Sequence, residues 1–265
     1  MADVRIEFRN VTKRFAARAP GGQPVTAVQD VSVSIRDGEV VALIGPSGCG
    51  KSTLLNMGSG LYLPTSGEVF VDGKRVEGPN PQVAFMLQKD LLLPWRTIRE
   101  NAELGLEIRG VPAAERRARA EALLVKCHLS GFEKHYPHQL SGGMRQRAAL
   151  ARTLAIDPVV LLMDEPFSAL DAQTKMVLQQ DLAQTLAAEK KTALLITHDL
   201  VESIALADRV LVMSARPGRI VEEFRVDLPD RADAMKRRRD TRVGEYVTRL
   251  MNLLKIEQQE SPAAA

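Results

Sequence analysis

The sequence predicts an α/β fold built on a mostly parallel sheet. Three observations predict it. An apolar run at residues 39–44 leads straight into a glycine-rich turn, and residues 52–57 then open a helix. Short apolar runs return at 159–163, 192–197 and 209–213, with helical stretches at 172–189 and 200–206 between them. Strands joined through helices run parallel, because a crossover connection returns the chain to the same end of the sheet. Residues from about 96 to 157 carry a helical pattern only, and read as an insertion into that core.

The elements follow in order. Residues 4–8, 27–35 and 39–44 have the alternating or apolar character of strands. Between the first two, residues 18–24 are a turn-rich insertion. Residues 67–73 form a strand that ends in an Asp72-Gly73 turn, and 83–87 form a short apolar one. Within the insertion, Pro112 stands where a helix starts, and 113–128 continue it. A helix over 145–155 stops at Asp157-Pro158, because the residue before a proline is pushed out of helical geometry. The expected division is a main domain over 1–229 and a C-terminal tail over 230–265. In the tail, Lys236, Arg237, Arg238 and Arg239 form a basic run, and Val243, Val247, Leu250 and Leu254 share a helical face. This reads as a solvated or docked terminal helix, with contact to a membrane surface as the alternative. Residues 261–265 are expected to be disordered.

A chain of 265 residues is ample for a buried core. Its net charge of +3 is mild and does not point to nucleic acid. Cys49 and Cys127 show neither metal-ligand spacing nor a disulfide framework, which points to a reducing compartment. The N-terminus has a strand pattern rather than that of a signal peptide. No apolar run approaches the ~20 residues that span a bilayer. The expectation is a soluble protein or a peripheral part of a membrane assembly.

Gly45, Pro46, Ser47, Gly48, Cys49, Gly50, Lys51 and Ser52 fit G-x-x-x-x-G-K-[ST] between a strand and a helix. Glycines let backbone N–H groups converge on an anion, and the helix N-terminus behind them adds partial positive charge. Lys51 then reaches the β- and γ-phosphates of a nucleotide, and the Ser52 hydroxyl ligates Mg²⁺. The plain alternative is a glycine-rich turn. Cys49 reads as a small filler rather than a nucleophile.

Asp164 and Glu165 close the apolar run 159–163. Acids at the carboxyl end of a parallel strand stand where α/β folds bind ligands. Successive side chains leave a strand on opposite sides, so two roles are expected. Asp164 fits the acid that holds Mg²⁺, and Glu165 the group that polarises an attacking water. His198 follows the next core run and fits a hydrogen bond to the γ-phosphate or to that water. His128, His135 and His138 lack such placement and read as structural. A second glycine turn, with Leu140, Ser141, Gly142 and Gly143, opens a helix through Arg147. It suits a phosphate, and Ser141 equally suits a simple helix cap. One chain rarely needs two phosphate cradles for one nucleotide.

Together these residues resemble the ATP-binding-cassette (ABC) ATPases over residues 4 to about 225. Gly45 to Ser52 matches the Walker A loop, Leu140 to Arg147 the signature loop, and 161–165 the end of the Walker B strand. Gln88 matches the Q-loop glutamine, Ser168 to Asp171 the D-loop, and His198 the switch histidine. Phe15 matches the aromatic that stacks on adenine. The resemblance implies a P-loop NTPase (RecA-like) core, an N-terminal antiparallel β-subdomain and an inserted helical subdomain. It implies ATP and Mg²⁺ as cofactors. Nucleotide contacts would come from Phe15, the loop Gly45 to Ser52 with Thr53, Gln88, Ser141, Gly142, Gly143 and Asp171. Ser52, Gln88 and Asp164 would hold the metal, and Glu165 and His198 would serve hydrolysis. Members of the family work as head-to-tail pairs, with Ser141 and Gly143 of one subunit acting on the other's γ-phosphate. That resolves the second cradle.

A lone cassette without spanning helices resembles the separate ATPase subunit of a prokaryotic importer. Residues 92–97, 169–174 and 214–220 resemble the nitrate/sulfonate/taurine importer group. The implied partners are a second copy, membrane permease subunits and, indirectly, a periplasmic or extracellular solute-binding protein. The implied location is the cytoplasmic face of the inner membrane. Trp95 is either a core aromatic or part of the groove that receives the permease. The alternative reading is a non-transport ABC ATPase acting on nucleic acid or cell-division machinery. Gly58 and Ser59 depart from the family's apolar-Ala-Gly helix ending and should weaken that helix slightly.

Overall fold

Every second residue of the central sheet serves a different core. In β3 (Val40–Ile44), Val41 and Leu43 face one apolar cluster while Val40, Ala42 and Ile44 face another. The period of two in an extended chain makes this division, and burial on both faces explains an unbroken apolar strand. The computed structural model describes residues 3–17, 21–168 and 170–254. The expectation for 261–265 and part of that for 18–24 lie outside the described residues, as does Ala169.

The central sheet has the order β10-β9-β3-β8-β7-β6. These strands are Ile220–Arg225, Arg209–Met213, β3, Thr192–Ile196, Val160–Asp164 and Val83–Met86. Pairing is parallel from β9 to β6, and only β10 joins antiparallel. One face is covered by an antiparallel sheet of order β2-β1-β4-β5, namely Val25–Arg36, Val4–Phe15, Ser66–Val71 and Lys74–Arg75. Helix α1 (Lys51–Ser59) is buried between the two sheets through Leu54, Leu55 and Met57.

The opposite face carries the other helices. Those of the insertion are α2 (Ile98–Ile108), α3 (Ala113–Lys126) and α4 (Gly142–Ala155). Next come α5 (Ala172–Ala188) and α6 (Leu200–Leu206), which follow β7 and β8. The tail forms α7 (Ala234–Arg238) and α8 (Val243–Leu254). Val226, Leu228, Ala234, Val243 and Leu250 belong to the same core cluster as β3 and α5. The tail is therefore docked.

Three sequence expectations needed adjustment. β1 runs on to Phe15, past Arg9 and Asn10, because a bulge with Asn10 at φ 49° absorbs the polar pair. β10 was not anticipated; its Ile220–Arg225 stretch is an edge strand with little burial. Helix α4 begins at Gly142 rather than Arg145. Gly58 also has a packing reason. A Cβ there would stand 3.0 Å from Ile6 Cδ1, 3.2 Å from Phe8 Cζ and 3.3 Å from Leu162 Cδ1. The missing side chain lets α1 lie close against both sheets.

Candidate active site

The carboxyl ends of β3, β8 and β7 lie side by side, and the chain leaves each of them into a functional loop. After β3, residues 45–50 wrap into a loop that only glycine can close. Gly50 has φ 116°, and a Cβ on it would come within 2.6 Å of the Ala27 carbonyl oxygen. Gly50 gives α1 no side-chain cap, so the leading N–H groups of α1 have no side-chain partner at their end of the helix. Lys51 Nζ lies over this loop, donating to the Gly45 carbonyl at 2.7 Å and to the Pro46 carbonyl at 3.0 Å. Cys49 is buried against the loop wall, consistent with a filler.

After β7, Asp164 stands beside the Ser52 hydroxyl. Burial pushes the Asp164 carboxyl above the usual carboxylate range; the Ser52 hydroxyl opposes this, and the Glu165 charge adds to it. Glu165 has φ 48°, a left-handed conformation rare for this residue, and its N–H donates to the Ile196 carbonyl at 3.0 Å. Its carboxylate faces two loops at once. Gln88 Nε2 donates to Glu165 Oε2 at 3.0 Å, and His198 Nδ1 lies 3.3 Å from the same oxygen. The register pairs Asp164 with Ile196, which sets His198 beside the acids.

A cavity of about 970 Å³ opens along the loop. Its walls include Phe15, Ser47, Gly48, Gly50, Lys51, Ser52, Thr53 and Glu165. Five further wall residues have no role assigned from the sequence: Ala16, Val25, Ala27, Tyr62 and Arg216. Tyr62 stands edge-on to Phe15 with ring centroids 5.6 Å apart. Arg216 donates from Nε and Nη2 to the Gly48 carbonyl at 3.1 and 2.7 Å. Arg216 belongs to the 214–220 stretch that marked the importer group, so a signal existed; Tyr62 had none.

Gln88, Asp164 and His198 do not line this cavity, and neither do Ser141, Gly142, Gly143 and Asp171. Ser141 Oγ accepts from Met144 N at 3.3 Å and Asp171 Oδ1 from Thr174 N at 3.0 Å, so each caps its helix. Gly143 packs against Thr174 and Leu170. The Q-loop is tied to the signature helix instead: Gln146 Nε2 donates to the Gln88 carbonyl at 3.0 Å, and Arg145 Nε to Asp90 Oδ2 at 3.0 Å. His128, His135 and His138 lie outside the site. His128 pairs with Asp181, while His135 and His138 pack on Phe132 and Tyr136.

A hydroxyl and a carboxylate in mutual contact, Ser52 and Asp164, form a hard-oxygen donor pair of the kind Mg²⁺ takes. The Gln88 amide nitrogen faces Glu165.

Residues 28–168 match the family model described as ABC transporter. An uncharacterized ABC transporter ATP-binding protein of Methanocaldococcus jannaschii is 44% identical over 96% of this chain and 92% of its own length. The taurine import ATP-binding protein TauB of Jannaschia sp. is 43% identical over 85% of this chain and 83% of its length. TauB of Yersinia pestis is 44% identical over 79% and 82%. Among solved structures, a dimeric post-hydrolysis state of the ATP-binding cassette MJ0796 bound to ADP and Pi superposes with a TM-score of 0.75. It is 33% identical, covering 84% of this chain and 99% of that one. The chain belongs to the ABC transporter family and is one of its ATPases, in the group that holds the taurine-import subunits.

Proposed function

We propose that the chain is the ATP-hydrolysing subunit of an importer for a small nitrate-, sulfonate- or taurine-like solute. It works as a homodimer beneath a separate permease, at the cytoplasmic face of the inner membrane, with a solute-binding protein on the far side. The observation that carries the hydrolytic role is the convergence of Gln88 and His198 on one oxygen of Glu165, beside the phosphate loop.

In this reading Lys51 and the N–H groups of the loop bind the phosphates of ATP, and Phe15 packs on the base. Ser52 and Asp164, with Gln88, would hold Mg²⁺, which neutralises phosphate charge when bound. Glu165 accepts a proton from the attacking water, and His198 fixes the Glu165 carboxylate and the phosphate end of the site. Ser141, Gly142, Gly143 and Asp171 are read as acting on the partner subunit's nucleotide.

The permease face is read from Trp95. It is 71% exposed, so it is not a core aromatic. With Arg96, Glu103, Glu107 and Arg116 it lines a groove of about 350 Å³ on the inserted helices. An exposed tryptophan beside a charged groove suits a docking anchor. Among the described residues, no helix is long and apolar enough to cross a membrane. The alternative partner, nucleic acid, drew on the basic run of the tail, and Arg237 of that run is only 2% exposed.

The test is Glu165→Gln in the full-length chain. Turnover should fall by about 10²-fold or more while ATP binding persists, since the amide cannot take the proton. The variant should also accumulate as an ATP-bound dimer in size-exclusion chromatography. Wild-type turnover would remove Glu165 from its role.

A further inference from the structure

Two residues of the tail's basic run, Arg237 and Arg238, point inward, at the helix that follows the switch histidine, while Lys236 and Arg239 are exposed. Helix α6 begins two residues after His198 and spans only Leu200–Leu206. A helix this short does not hold its own geometry in water, so its neighbours place it. Its N-terminus is capped by Asp199, whose Oδ1 accepts from Glu202 N at 2.9 Å. Its C-terminus is held by Arg237, which donates from Nη1 to the carbonyls of Ala205 and Ala207 at 3.2 and 3.1 Å. A cation at that end also complements the helix dipole.

The next residue opens a relay. Arg238 Nη2 donates to Gln179 Oε1 on α5. The other end of that amide, Nε2, donates to Glu202 Oε2 at 2.7 Å. Lys175 Nζ bridges Glu202 Oε2 at 2.9 Å and Asp199 Oδ2 at 2.8 Å. Asp199 is the peptide neighbour of His198. Gln179 and Glu202 are each 1% exposed, so water cannot replace a lost link cheaply. Gln180 fastens the same junction: its Oε1 accepts from Met235 N at 3.1 Å and its Nε2 donates to the Ala232 carbonyl at 3.3 Å.

We infer that Arg237 and Arg238 are positioning residues for His198, so that the C-terminal segment sets the hydrolysis rate through α6. This rests on the proposed role of His198 in hydrolysis. Because Lys175 sits one turn after Asp171, the same relay fixes the D-loop helix and the histidine loop relative to each other.

The test combines Mg-ATP turnover of the full-length chain with NMR of its imidazole rings; four histidines give few signals to resolve. Arg238→Ala should lower kcat about tenfold with KM for ATP unchanged, as expected for a displaced group that acts after binding. It should shift the His198 ring signals and leave those of His135 and His138 in place. Arg238→Lys, which keeps a donor toward Gln179, should recover most of the turnover. If Arg238→Ala does not fold, Gln179→Met removes the relay at nearly constant volume and carries the same expectations. His198 signals that stay in place overturn the inference. So does unchanged turnover, provided His198→Ala is itself impaired. Wild-type turnover in His198→Ala would instead remove the histidine from hydrolysis, and the ring shift alone would then decide the relay.

Discussion

His198 Nδ1 stands 3.3 Å from Glu165 Oε2, the oxygen that also receives Gln88 Nε2. The carboxylate is thus approached from two separate loops, by a hydrogen bond from Gln88 and by the His198 ring. Removing either group should therefore cost rate rather than affinity. His198→Ala should lower kcat by about 10²-fold, the usual loss for one preorganised donor. The KM for ATP should stay within about twofold of wild type. Steady-state ATPase kinetics check both numbers, and a rise in KM at constant kcat would contradict the arrangement.

Arg216 grips the Gly48 carbonyl from outside the phosphate loop with two N–H groups. A forked, charge-assisted pair of this kind fixes both position and orientation. Arg216→Ala frees the loop, which must then be ordered by the nucleotide itself. ATP affinity should weaken about fivefold, equivalent to ~1 kcal/mol for an exposed interaction. Equilibrium binding of a fluorescent ATP analogue measures it. Arg216→Lys should recover only part, because one ammonium cannot reproduce the fork.

Gly58 sits in a helix, where alanine would ordinarily add about 1 kcal/mol of stability. Here a Cβ meets Ile6, Phe8 and Leu162 at 3.0 to 3.3 Å, all within a packed core. Overpacking costs about 1–3 kcal/mol and outweighs the propensity gain. Gly58→Ala should lower stability by about 1 kcal/mol in denaturant unfolding. A stabilised variant would show that α1 can retreat from the sheets.

Trp95 is exposed beside the groove on α2 and α3, far along the chain from the phosphate loop. Trp95→Ala should leave the basal ATPase rate of the isolated chain unchanged. In the reconstituted transporter it should weaken permease binding by ~2 kcal/mol or more, as expected for an anchoring aromatic. Co-purification with the permease reports the loss, and equal recovery of both forms would exclude Trp95 from that contact.

The placement of the phosphate loop and the paired acids was legible because it is local. The spacing of Gly45, Gly50, Lys51 and Ser52 needs nothing beyond a strand before it and a helix after it, and both are present as β3 and α1. Asp164 and Glu165 were legible for the same reason, at the end of an apolar strand. What escaped was whatever depends on distant chain meeting in space. Tyr62 reaches the cavity wall only because α1 returns the chain beside Phe15. Arg216 reaches Gly48 across 168 residues of sequence. The run of Lys236, Arg237, Arg238 and Arg239 resembles a solvated face by composition, and only the carbonyls at the end of α6 reveal why Arg237 is buried. β10 escaped because the Glu222-Glu223 pair interrupts its apolar residues and five of its six residues are open or half-open to water.

That edge strand has a further consequence. Its Phe224 faces the core, and α8 packs against that face. Tyr246 stacks on Phe224 at 5.8 Å, Arg249 covers the same ring at 4.4 Å, and Arg249 also pairs with Glu222 at 2.6 Å. Cutting the chain after the strand would strip this cover from the Phe224 ring. The last helix is thus the roof of Phe224, and the tail completes the apolar core that the edge strand begins.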